Sequence, residues 1–110
     1  MPVLKWLHEL PPRAIIKCRA RMIRLRQMGH DLRRPDADYV GDDIYELRIL
    51  RAGQRYRMLY AFHEGRFVLL LAGFSKSQRR IPKREIELAR RRLDRFLQDP
   101  KRHSHLVKSL

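Results

Sequence analysis

Residues 67–74 of this chain read Phe-Val-Leu-Leu-Leu-Ala-Gly-Phe, without a charge or an alternating polar position. A strand with one face in water alternates apolar and polar residues, because successive side chains point to opposite sides. This run does not alternate, so it predicts a strand buried on both faces and placed centrally in a sheet. Such a strand must be covered by further layers. The whole chain has only 110 residues, 44% of them hydrophobic, which suits one domain over 1–110 with a single modest core.

The segments around the run supply the layers. Ile44–Leu50 alternates, with Tyr45, Leu47 and Ile49 on one face and Glu46 and Arg48 on the other. Tyr56–His63 does the same, with Tyr56, Met58, Tyr60 and Phe62 opposite Arg57, Leu59, Ala61 and His63. The links between these strands are short and contain Gly53 and Gly65, which predicts antiparallel hairpins over 44–50, 56–63 and 67–74. Ahead of them, Val3, Leu4, Leu7 and Leu10 form an apolar stripe that predicts a helix over 2–10. Pro11-Pro12 interrupts it, since proline lacks an N–H and restrains the residue before it. A second helix is expected over 12–28, with Ile15, Cys18, Met22 and Leu25 on one face, Lys17, Arg21 and Arg24 on another, and Gly29 as its cap. Residues 30–43 carry Pro35, Gly41 and several aspartates and read as loop. Pro82 opens a last helix over 82–98, where Ile86, Ala89, Leu93 and Phe96 share a stripe, and 99–110 is a polar tail. The expected class is α+β: an N-terminal helical hairpin on an antiparallel sheet of about three strands, plus a C-terminal helix. The hairpin covers one sheet face and leaves the other to the last helix or a ligand.

Charge narrows the function classes. Lysine and arginine outnumber aspartate and glutamate by 26 to 12, for a net charge of +14. That excess favours polyanionic partners, nucleic acid or an RNA-rich particle above all. The single cysteine, Cys18, cannot staple the fold and points to an intracellular compartment. No apolar run approaches the ~20 residues that span a bilayer, and the N-terminus lacks signal-peptide character, so a cytoplasmic location without membrane contact is expected. His103 and His105 have no evident third ligand, so neither a metal nor a small-molecule cofactor is expected.

Four stretches together carry a family likeness: Tyr45-Glu46-Leu47-Arg48; Tyr56-Arg57-Met58-Leu59-Tyr60; Gly73-Phe74-Ser75-Lys76-Ser77-Gln78-Arg79-Arg80-Ile81-Pro82; and Glu85-Ile86-Glu87-Leu88-Ala89. In this order and spacing, over roughly residues 6–97, the chain resembles the RelE/ParE toxin superfamily, and more narrowly the phage-derived Gp49-like or HigB-type toxins. It differs from many relatives in having no strand ahead of the first helix. Ile81 stands where threonine is frequent, Ser77 where some relatives have a second lysine, and a base-stacking tyrosine of the last segment has no counterpart.

The resemblance implies a toxin of a type II toxin–antitoxin system, a ribosome-dependent mRNA endonuclease working without metal. Its partners would be the ribosome, mRNA and a cognate antitoxin, often a helix-turn-helix protein. It also implies a catalytic set of Arg48, Arg57 and Lys76, with Gln78, Arg79, Arg80 and Arg55 contacting RNA. By alternation Arg48 and Arg57 can share one sheet face, where guanidinium groups match phosphate geometry. Arginine stays protonated and so stabilises charge, whereas Lys76 is the better proton carrier. Glu46 is open to two readings, as a salt-bridge partner that an RNA phosphate would have to displace or as a general base. Two other functions stay open: a ParE-like inhibitor of DNA gyrase, which shares the fold, and a non-catalytic basic binding module.

Overall fold

A computed structural model describes residues 2–65, 67–75 and 80–100. Helices α1 (Pro2–His8) and α2 (Pro12–Met28) form the N-terminal hairpin, and a short 3-10 turn (Gly29–Asp31) follows. Four strands come next, β1 (Ala37–Gly41), β2 (Ile44–Arg51), β3 (Gln54–His63) and β4 (Phe67–Ser75), and then helix α3 (Lys83–Gln98). The sheet runs β1-β2-β3-β4 with every neighbour antiparallel. The class is α+β, as the sequence indicates, with one strand more than expected.

That extra strand, β1, lies inside the segment whose composition reads as loop. It is five residues long and includes Asp38 and Gly41, so it carries neither the length nor the alternation by which a strand is recognised. A two-residue hairpin makes it. Asp42 and Asp43 take φ of 52° and 66° between the paired Gly41 and Ile44. This left-handed pair is the turn whose twist matches the flanking strands. The β2–β3 hairpin repeats the device with Ala52 at φ 52° and Gly53 at φ 78°. Alanine has no local hydrogen bond to offset that conformation, whereas asparagine tolerates it. Ala52→Asn is therefore expected to raise stability by ~0.5–1 kcal/mol, read as a higher denaturant midpoint at unchanged slope.

The sheet divides the apolar residues into two clusters, where the sequence suggested one core. On one face Leu47, Ile49, Met58, Tyr60 and Leu70 pack under Val3 and Leu7 of α1 and Ala14, Cys18, Met22 and Leu25 of α2. On the other, Ile44, Leu59, Ala61, Leu69, Leu71 and Phe74 pack under Ala89, Leu93 and Phe96 of α3. Helix α1 lies over β4, α2 over β2, and α3 over β4 and β3.

This arrangement corrects the placement of the apolar run. Strand β4 is not central but an edge strand. It lacks alternation because α1 and α3 sandwich it from both sides. A bulge adds to the effect: Leu59 pairs with Ala72 and Tyr60 with Leu70, which leaves Leu71 without a cross-strand partner. Leu71 and Ala72 both turn toward α3. The carbonyl of Leu71 accepts a hydrogen bond from Arg92 Nη1 at 2.5 Å, so a helix side chain serves a backbone group that the bulge removes from the ladder. On the opposite face Gly73 lies against the Trp6 indole, and a Cβ there would overlap the ring atoms.

The helices match their sequence signals closely. Pro12 stands at the start of α2 and Gly29, at φ 57°, caps its end. Helix α1 stops at His8 rather than Leu10, and Pro82 sits just ahead of α3 rather than within it. No described helix is long and apolar enough to cross a membrane.

Candidate functional site

The α3 covering leaves part of its sheet face to charged groups. Arg48 of β2 and Arg57 of β3 are directly opposed in the register. Like charges opposite one another on a sheet repel, so something must hold the pair. Glu46, two residues before Arg48 on the same face, does so. Its Oε1 accepts from Arg48 Nε at 2.6 Å, and its Oε2 lies 3.4 Å from Arg57 Nε. The carboxylate is 2% exposed and Arg57 5%, while the Arg48 side chain keeps 41% of its surface in solvent.

Strand β1 extends the charge ladder. Asp38 pairs with Glu46 across the β1–β2 register. Its Oδ2 accepts from Arg34 Nη2 at 2.9 Å and from Arg48 Nη2 at 3.4 Å. The hydrogen bond from Arg34, with the nearby guanidinium charges, holds the Asp38 carboxyl below its ordinary range. Glu46 thus serves two guanidinium groups, and Arg48 is met by Asp38 as well. Among the described residues Arg57 Nη1 and Glu46 Oε2 are buried without a hydrogen-bond partner. A buried donor of a charged group left in this state is costly unless a ligand meets it. In chemical terms the pair offers fixed positive charge and guanidinium N–H groups to an anion.

A cleft of about 650 Å³ adjoins the pair, and Lys17, Arg21, Arg48, Arg55 and Arg57 are among its lining residues. It forms where β1 gives out. The Arg48 amide still donates to the Asp36 carbonyl at 2.8 Å. The Arg48 carbonyl accepts from Arg21 Nη1 at 2.8 Å, and the Leu50 carbonyl accepts from Lys17 Nζ at 2.5 Å. Two cations one turn apart on α2 thus complete the open edge of β2. Arg21 is also paired with Asp36, at 2.5 Å.

The sequence-derived candidates fall into three groups. Arg48 and Arg57 come together as the alternation requires, and Arg55 lines the same cleft. Arg80 is exposed at the approach to α3. Lys76, Gln78 and Arg79 lie outside the described residues. Three further participants stand outside the sequence-derived set. Asp38 is hidden by the weak pattern of β1. Lys17 and Arg21 show their shared helix face in the sequence, but not the strand edge that the face meets.

Other residues have packing roles. Cys18 is fully buried, and burial pushes its thiol up to about 11. Tyr60 is buried in the hairpin-side core. His63 stands at the far end of β3, with its ring edge-on to Phe96 at 4.9 Å. Among the described residues no cluster of three histidine, cysteine or acidic side chains could hold a metal ion.

Fold and site together define a small basic α+β domain, helices on both faces of an antiparallel sheet and an arginine pair across its middle strands. The model of the phage derived protein Gp49-like family matches residues 5–94, and the chain belongs to that family, which is one of RelE/HigB-like toxins. The family is associated with the toxins of toxin–antitoxin systems. No curated protein matches the chain.

Proposed function

We propose that this protein is the toxin of a type II toxin–antitoxin pair and cleaves mRNA on the ribosome, and that a cognate antitoxin holds it inactive. One observation carries the reading: the Arg48–Arg57 pair shares a single buried carboxylate, and Arg57 keeps an unpartnered Nη1 among the described residues. Cleavage would follow the usual course of metal-free RNA scission. The 2′-oxygen forms a bond to the adjacent phosphorus and gives up its proton, the bond from phosphorus to the 5′-oxygen breaks, and that oxygen takes a proton. A 2′,3′-cyclic phosphate and a 5′-hydroxyl remain.

In this reaction charge builds on the phosphorane oxygens, and fixed donors aimed at that charge lower the barrier. Arg57 and Arg48 are assigned this role. Glu46 is assigned as the positioning residue that keeps two like charges within reach of one phosphate. Its carboxylate lies between the two guanidinium groups, at 2.6 and 3.4 Å, which fits that positioning role. Lys76 is the proposed proton carrier and Gln78, Arg79 and Arg80 contact the RNA backbone, as the family resemblance implies. The gyrase and non-catalytic alternatives give different outcomes in a paired test. Purified protein is added to a translating extract and, separately, to a gyrase supercoiling reaction. Cleavage of translated transcripts with supercoiling intact is expected. Blocked supercoiling with intact transcripts would transfer the site to the gyrase reading, and no effect in either would leave a binding module.

A further inference from the structure

The cleft beside the arginine pair contains more cationic groups than one phosphate can use. Arg55 lies two residues from Arg57 on the same face of β3 and lines the cleft. Strand geometry puts their Cα atoms ~7 Å apart, a separation comparable to that of successive phosphates on an extended nucleic-acid strand. Arg55 has no ion-pair partner among the described residues. Across the cleft, Lys17 directs one N–H to the Leu50 carbonyl and, as an ammonium, keeps two further donors. The acidic lining residue, Asp36, is already engaged by Arg21 at 2.5 Å.

We propose that Arg55 and Lys17 form a second phosphate subsite, which binds the phosphate one nucleotide away from the group held by Arg48 and Arg57. The inference rests on the proposed reading of the arginine pair as a phosphate site. It makes the ligand a single strand that enters along the open end of β2 and β3, with two consecutive phosphates held by the sheet and by α2. A base-paired helix fits less well, because the cleft runs between α2 and the strand edge. The two cations meet backbone phosphate, so they add affinity and register without choosing a base.

The test measures binding of labelled oligouridylate of about ten nucleotides across a salt series, off the ribosome, by fluorescence anisotropy. The slope of log affinity against log salt should fall by about 0.7 for each phosphate of a single strand that the protein no longer neutralises. Lys17→Gln and Arg55→Gln are each expected to show that fall. Arg95→Gln, which removes an exposed charge from the last turn of α3, should keep the slope. A second readout compares uridine 3′-monophosphate with the doubly phosphorylated dinucleotide UpUp. The affinity added by the second phosphate should shrink in the Lys17 and Arg55 variants. Unchanged slopes and an undiminished second-phosphate effect in both would overturn the second subsite, as would reductions no larger than that of Arg95→Gln. Binding of oligoglutamate in place of RNA, dependent on Lys17 and Arg55, would overturn it in favour of an acidic peptide. If Arg57→Met also keeps the wild-type slope, the failure lies in the phosphate reading of the pair itself.

Discussion

Arg57→Met should lower transcript cleavage by a factor of ~10²–10³, the usual effect of deleting one preorganised donor to a developing oxyanion. The fold should survive, but with reduced stability. Glu46 is 2% exposed and would keep Arg48 alone as its partner at 2.6 Å. The second carboxylate oxygen then loses the guanidinium at 3.4 Å, and a cost of ~1–3 kcal/mol is expected for a buried polar group left unmet. Combining Arg57→Met with Glu46→Met separates the two effects. Replacing both members of a buried ion pair by apolar groups is often neutral or stabilising. The double variant should therefore recover the denaturant midpoint without recovering cleavage. Recovery of both would reduce the pair to a structural feature, and so would full cleavage by Arg57→Met.

The second large effect concerns the attachment of α1. Gly73 faces Trp6 so closely that a methyl group in its place would occupy the indole ring. Backbone cannot yield there without disturbing the β3–β4 ladder, since Gly73 pairs with Met58. The indole must move instead, and α1 loses its hold on β4. Gly73→Ala is expected to cost ~1–3 kcal/mol, and Gly73→Val more. Trp6 is the only tryptophan of the chain, so its fluorescence reports the displacement directly. In a Trp6→Leu background the penalty of Gly73→Ala should largely vanish, a coupling that a double-mutant cycle measures. An equal penalty in both backgrounds would show that the glycine matters for another reason.

These two sites illustrate what a sequence of this kind discloses. Period-2 alternation alone places Arg48 and Arg57 on one face, because β2 and β3 are regular and each has one side toward a core. Their partner Glu46 is visible on the same grounds, but its burial beside Asp38 of β1 and Arg57 of β3 is a tertiary fact. Gly73 shows the opposite limit. Nothing in Ala72-Gly73-Phe74 indicates that an indole from residue 6 rests there. Strand β1 escapes for a local reason, since five residues with an aspartate and a terminal glycine carry too little pattern to outweigh Pro35 and the neighbouring aspartates. The edge position of β4 escapes because burial on both faces reports how many layers cover a strand, not how many strands flank it. The bulge at Leu71 then removes the residual alternation that would have distinguished the two faces.

If the Glu46-held arginine pair acts on an RNA phosphate, the chemistry of the transcript ends records it. Purified protein is added to ribosomes translating a defined message, the RNA is recovered, and its ends are mapped and typed. New ends are expected within the translated frame, 2′,3′-cyclic phosphate upstream and 5′-hydroxyl downstream, abundant with the natural protein and nearly absent with Arg57→Met. Messages that stay intact with protein equimolar to ribosomes, or ends that form equally well without Arg57, would contradict it.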